Sequence, residues 1–72
     1  MAVDGDALRR VGALAHELNN HLTAIRLTTE LCEAKIDDRA RVERGLREIR
    51  QLAEQATRCA DELLRLGRSA SS

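Results

Sequence analysis

The side chains that could carry out chemistry are concentrated at residues 16–23, which read His-Glu-Leu-Asn-Asn-His-Leu-Thr. An imidazole can serve as a nucleophile, a general base or a metal ligand. If the segment is helical, a rotation of about 100° per residue away from a buried Leu18 turns His16 and Asn20 together towards water. The pattern therefore indicates an exposed imidazole with Glu17 beside it. A solvated histidine on a coiled-coil surface would give the same pattern.

Two long helices must position this segment, because the chain contains no proline and only four glycines. Apolar or small residues recur at alternating steps of three and four in two series, which is the repeat of packed helices. The first series is Val11, Ala15, Leu18, Leu22, Ile25, Thr29, Cys32 and Ile36, and the second is Val42, Gly45, Ile49, Leu52, Ala56, Cys59, Leu63 and Leu66. We predict helix 1 over about 6–35, a turn at 36–38 capped by aspartate, helix 2 over about 39–66, and a frayed tail over 67–72 that begins with a glycine cap.

The fold class that follows is all-α, with a single domain over 1–72 that forms an antiparallel two-helix hairpin. A lone core in a chain of this size rarely supplies more than ~3–5 kcal/mol, and this chain has no aromatic residue to enlarge it. The apolar stripe of helix 2 is also wider than one neighbouring helix can cover, because Leu46, Ala53 and Leu64 flank it. We therefore predict a homodimer in which two hairpins form a four-helix bundle.

Composition excludes several classes of function. Twelve Lys and Arg balance twelve Asp and Glu, and with no aromatic platform for bases we expect no nucleic-acid binding. The absence of a long apolar run predicts no membrane span, and the absence of a secretory signal predicts a cytoplasmic location. Cys32 and Cys59 lack CxxC spacing and are expected to be separate core thiols. His16 and His21 point apart on a helix, so we expect no bound metal and interpret His21 as an interface or ion-pair residue.

The order His-Glu-Leu-Asn-Asn at 16–20, followed by Leu-Thr at 22–23, resembles the H-box of two-component histidine kinases. In that family the box lies on the first helix of a two-helix dimerisation and histidine-phosphotransfer domain. The resemblance implies that His16 is the phosphoacceptor and that Glu17 hydrogen-bonds its other ring nitrogen. It also implies that Asn20 orients water to hydrolyse the acyl phosphate of a receiver. Many members have proline where this chain has His21, so helix 1 should lack the corresponding kink.

The resemblance implies partners for the chain and no cofactor bound by it. ATP and Mg²⁺ would act only through a separate kinase catalytic domain, because the glycine-rich and asparagine boxes of such a domain are missing here. Whether the chain is itself an enzyme is therefore left open. A response-regulator receiver domain should dock below His16, and the candidate docking residues are Ala24, Leu27, Leu31, Arg44, Arg47, Glu48 and Gln51. Leu27 and Leu31 are equally compatible with packing against the partner hairpin. The alternative function is a dimerisation or adaptor hairpin that binds a kinase or regulator without carrying phosphate.

Overall fold

The chain folds as a hairpin of two long helices joined by a short turn. The computed structural model describes the backbone of residues 5–71 and the side chains of residues 5–69. Helix α1 spans Gly5–Ala34 and helix α2 spans Arg39–Ser71, and no strand occurs within these residues. The predicted all-α hairpin is confirmed.

Asp38 ends the turn and begins α2, as its side chain and position predict. Its Oδ1 accepts a hydrogen bond from the backbone N–H of Arg41 at 3.1 Å, which satisfies one of the donors that a helix N-terminus leaves free. Its carbonyl accepts the first helical bond, from the N–H of Val42 at 3.0 Å. Arg39 carries an unfavourable charge for this end of a helix, and Glu43 partly offsets it through an ion pair of 3.0 Å one turn later.

The C-terminal end of α2 differs from the sequence expectation. The helix continues through Gly67 to Ser71, where a glycine cap and a frayed tail were expected. Gly67 does not adopt the positive φ of such a cap, and a glycine inside a helix costs only about 0.5–1 kcal/mol, so one glycine without a following proline does not end it. The molecule is 56 Å long, and the 33 residues of α2 account for about 50 Å of this length at about 1.5 Å per residue.

Contact between the two helices follows a narrow line. Leu14, Ala56 and Cys59 are the buried hydrophobic residues of the described part of the chain, with exposed fractions of 4%, 7% and 6%. Gly45 is buried as well, and half-buried residues such as Leu18 and Ile49 fill the spaces between these positions. A core this thin leaves most of the apolar surface of both helices uncovered.

The uncovered surface includes five of the eight residues of the predicted helix-1 series. Val11, Leu22 and Ile36 keep 38%, 51% and 67% of their surface exposed, and Ala15 and Thr29 are exposed too. Ile36 lies in the turn, beyond the end of α1. The line along α1 that meets α2 is rotated to one side of the predicted centre, so that it contains Leu14, His21 and Thr28 in place of the other four residues. A single neighbouring helix covers only part of a broad apolar stripe, and the remainder of the stripe is left facing solvent.

Gly45 allows the closest approach of the two helices. A Cβ atom at this position would overlap the Sγ of Cys32 and lie 3.6 Å from Cγ2 of Thr28. Gly12, in the interior of α1, has open space around it, because a Cβ atom there would meet no neighbour within 4 Å. The two glycines are therefore a matched pair for testing how tightly the hairpin is packed.

We expect Gly45→Ala to destabilise the chain and Gly12→Ala to stabilise it slightly. An extra methyl group in a tight contact costs about 1–3 kcal/mol, and the helix gains about 0.5–1 kcal/mol when alanine replaces glycine. The net loss in Gly45→Ala should therefore be about 1 kcal/mol in the free energy of urea unfolding. Adding Cys32→Ala should recover most of it, and a double variant no more stable than Gly45→Ala would show that the Cys32 contact is not the cause.

Candidate functional site

His16 lies in the N-terminal half of α1 with its side chain exposed. Leu14 and Leu18, two residues to either side, are buried and half-buried in the contact with α2. Two steps along a helix turn a side chain by about 200°, so anchoring these leucines inward directs the imidazole outward. A phosphate donor can therefore approach the ring without any part of the hairpin opening.

Asn20 and Glu17 take different positions relative to His16. Asn20 is exposed one turn beyond it, on the same face of α1. The carboxylate of Glu17 extends into the cleft between the helices, where its Oε1 lies 3.8 Å from Nε2 of His21. The structure thus brings His16 and Asn20 onto one surface, and it places the Glu17 carboxylate about a quarter turn away from the His16 ring.

His21 has the interface position that its place on the helix predicts. Its side chain is 19% exposed and faces α2, with Glu17 one turn before it. Helix α1 runs without interruption through this residue, which keeps the backbone N–H that a proline here would remove.

The predicted docking residues divide into two groups. Leu31, Arg44 and Glu48 line one groove near the turn, together with Thr28, Cys32, Arg41 and Gly45. Leu27, Arg47 and Gln51 are exposed but do not line this groove, and Ala24 is half-buried. The groove therefore presents an apolar side chain from α1 between charged side chains of both signs from α2.

Arg10 and Glu62 join the two helices near their open end. Nη2 of Arg10 donates a hydrogen bond of 2.6 Å to Oε1 of Glu62, and Nη2 of Arg65 lies 3.6 Å from the same oxygen. The hydrogen bond from Arg10 lowers the pKa of Glu62, and the same bond raises the pKa of Arg10 above its usual value. This pair links α1 to α2 beside the cleft that contains Glu17.

Because the pKa of Glu62 is lower in the folded chain than in the unfolded chain, its pair with Arg10 stabilises the fold at neutral pH. This stabilisation is lost as the pH falls through the lowered pKa. The melting temperature of Glu62→Gln should therefore be below that of the wild type at pH 7, and the two should converge in acid. Asp61→Asn, at the neighbouring exposed position, serves as the control and should show no such convergence. A difference for Glu62→Gln that does not change with pH would contradict this assignment.

The sequence analysis did not identify one cluster that the structure shows. One ligand atom each of Glu17, His21 and Cys59 lies within 4.8 Å of the other two. Burial raises the pKa of the Cys59 thiol, and the negative charge of Glu17 raises it further. The expectation that no metal binds was based on His16 and His21 alone, which point apart on the helix. Glu17 and His21, however, are four residues apart on one face of α1, and Cys59 lies opposite them. That spacing and the axial position of Cys59 are the signals by which the sequence could have revealed the cluster.

Comparison with known protein families places this geometry in context. The model of HisKA, the His Kinase A (phospho-acceptor) domain, matches residues 8–72. The chain belongs to the HisKA family. No curated protein and no solved structure matches it. The HisKA match identifies a phospho-acceptor and dimerisation module of two-component signalling, and it extends over the segment with the exposed imidazole. In the part of the chain that the structure describes, neither helix is long and apolar enough to span a membrane.

Proposed function

We propose that this HisKA chain is a histidine phosphotransfer module in which His16 accepts a phosphoryl group and exchanges it with the aspartate of a response regulator. The observation that supports the proposal is the exposed His16 imidazole at the position where the sequence resembles the H-box, within the residues that the family model matches. An unprotonated ring nitrogen of an imidazole is a nucleophile.

The donor is ATP held by a separate kinase catalytic domain, or the aspartyl phosphate of a receiver. A ring nitrogen of His16 attacks phosphorus, and the N–P bond forms as the bond to the leaving oxygen of ADP or of the aspartate breaks. The proton on the other ring nitrogen can pass to an acceptor. Glu17 serves as this acceptor when its carboxylate turns from the cleft towards His16, a movement that its 58% exposed side chain permits.

The same proposal includes a homodimer and a receiver-docking surface. HisKA domains in general dimerise and work with kinase and regulator partners, and the uncovered apolar residues of α1 and α2 offer a face for a second hairpin. The groove at Leu31, Arg44 and Glu48 is on a different side and remains available for a receiver domain. In this arrangement the receiver contacts the bundle between His16 and the turn.

Phosphate transfer from a supplied donor tests the proposal. The chain is incubated with γ-labelled ATP, Mg²⁺ and a panel of histidine kinase catalytic domains, and separately with phosphorylated receiver domains. We expect label on the chain that is stable in base and lost in acid, the behaviour of phosphohistidine. Absence of label from every donor would overturn the proposal and favour the alternative of an adaptor hairpin that carries no phosphate.

Asn20→Ala should separate phosphate uptake from phosphatase activity. The amide of Asn20 is assigned to orienting water towards a receiver's acyl phosphate, a step in which the His16 nucleophile takes no part. We therefore expect the variant to be labelled normally and to remove phosphate from a receiver more slowly than the wild type does. Gel electrophoresis of samples taken over time measures the loss of phosphate from the receiver. Asn19→Ala is the matched control, since Asn19 is also exposed but lies a quarter turn away. Equal loss of both activities in Asn20→Ala would contradict the role given to its amide.

A further inference from the structure

The cleft between α1 and α2 contains an oxygen, a nitrogen and a sulfur donor close together. Glu17 and His21 come from one face of α1, Cys59 comes from α2, and their donor atoms lie within 4.8 Å of one another. We propose that Glu17, His21 and Cys59 form a binding site for a divalent transition-metal ion, with Zn²⁺ as the natural occupant. The mixed set of donors is typical of Zn²⁺, which accepts carboxylate, imidazole and thiolate in one site.

The distances require only a small adjustment. Ligand atoms around a tetrahedral Zn²⁺ are about 3.3–3.7 Å apart, as follows from metal–ligand distances of about 2.0–2.3 Å. Oε1 of Glu17 and Nε2 of His21 are already 3.8 Å apart. The remaining donor separations must shorten by up to about 1 Å. Rotation of the exposed Glu17 side chain can shorten its separation from Cys59, and a small rotation of the partly buried His21 ring can shorten the separation between His21 and Cys59.

Different features of the hairpin position the three ligands. Glu17 and His21 are four residues apart, so they lie one above the other on α1. Cys59 is 6% exposed and fixed by packing between the helices, which holds its sulfur at the base of the cleft. Cys59 is thus held in place by the fold, the partly buried His21 ring has little room to move, and Glu17 is free to close over the ion. Three protein ligands leave the fourth tetrahedral position to water.

Charge and protonation are balanced when the ion binds. The Cys59 thiol loses its proton to solvent as the metal–sulfur bond forms, while His21 in its neutral form donates a nitrogen lone pair. The Cys59 thiolate and the Glu17 carboxylate then neutralise a divalent ion. Of the cations that line the cleft, Arg10 is already paired with Glu62, and Arg58 lies beside Cys59. No electron is transferred and no further reactant is needed.

Dimerisation does not cover this site. At about 100° per residue, Val11 and Leu22 lie on one side of Leu18, and Glu17 and His21 lie on the other. The uncovered apolar residues therefore face a second hairpin while the cleft stays open to solvent through Glu17, 58% of whose side chain is exposed. The ion would join the two helices of one hairpin, and each chain of a dimer would bind its own ion.

Cobalt titration of the full, reduced chain tests the site, because a Co²⁺–thiolate bond absorbs in the near ultraviolet where the chain without metal is transparent. We expect one Co²⁺ per chain, displacement by Zn²⁺ with loss of the absorption, release of one proton per Zn²⁺ at neutral pH, and a rise in melting temperature with Zn²⁺. Absence of the absorption in the wild-type chain would overturn the proposal. None of these readouts involves phosphate, so the result is independent of the proposed phosphotransfer.

Substitutions identify the ligands. Cys59→Ser should lose the thiolate absorption, and His21→Gln and Glu17→Gln should each weaken Co²⁺ binding by at least about 10-fold. Cys32→Ser and His16→Gln, which change the other thiol and the other imidazole, should bind as the wild type does. Circular dichroism establishes that each variant is folded. If Cys59→Ser is unfolded, the two α1 variants decide the matter. Unchanged binding in both of them, or an absorption that depends on Cys32, would exclude the proposed site.

Discussion

The His16→Gln variant should accept no acid-labile phosphate from a kinase catalytic domain or from a phosphorylated receiver, while His21→Gln is labelled as the wild type is. His16 is exposed on the outer face of α1, so a phosphorus atom can reach its ring nitrogen directly. His21 is 19% exposed and faces α2 beside Glu17, where no donor of the size of a protein domain can approach it. Glutamine keeps a polar side chain of good helix propensity at both positions.

The two histidine variants control for each other. Both remove an imidazole from the same helix five residues apart, so a general effect on the hairpin would reduce labelling in both. Circular dichroism and thermal melting establish that each variant is folded before labelling is compared. Label that persists in His16→Gln and disappears in His21→Gln would reverse the assignment, and it would show that the resemblance to the H-box is misplaced on this chain.

The parts of the fold that the sequence predicts are those that depend on local rules. Two apolar series at steps of three and four, uninterrupted by proline, specify two helices whatever their tertiary contacts are. Asp38 caps α2 because its short carboxylate reaches the N–H group of Arg41, which the first turn of the helix leaves without a partner. The exposure of His16 follows from the leucines at 14 and 18, since an inward side chain two residues away on either side directs it outward.

The features that the sequence did not predict depend on how the helices are rotated against each other. Periodicity defines a broad apolar face on α1, but it does not show which half of that face meets α2. For that reason the predicted series places Val11 and Leu22 at the contact and omits Leu14, which the structure buries there. The same rotation brings Glu17 and His21 opposite Cys59. At Gly67 the helix continues because a single glycine is only mildly unfavourable inside a helix and the sequence has no proline after it.

Leu22 and Leu27 provide a matched test of the proposed dimer. Both are leucines of α1 and both are 51% exposed in the hairpin, but a rotation of about 140° separates them around the helix. Leu22 lies on the side of Val11, where the uncovered apolar residues of α1 continue. Leu27 lies on the outer surface below His16, where a receiver domain is proposed to dock.

We expect Leu22→Glu to separate the dimer and Leu27→Glu to leave it intact. Complete burial of an exposed leucine contributes about 1.5–3 kcal/mol, and Leu22 has 51% of its surface left to bury. A symmetric dimer loses two such contacts, together about 1.5–3 kcal/mol, so the dissociation constant should rise by roughly one to two orders of magnitude. The thin core of the hairpin predicts that the separated chains also lose helix content. Sedimentation equilibrium and circular dichroism over a range of concentrations measure both effects. Glutamate and leucine differ little in helix propensity, so only a buried contact would account for a weaker dimer in Leu27→Glu. A comparable rise in the dissociation constant of that variant would therefore place Leu27 against the partner hairpin and remove it from the docking surface.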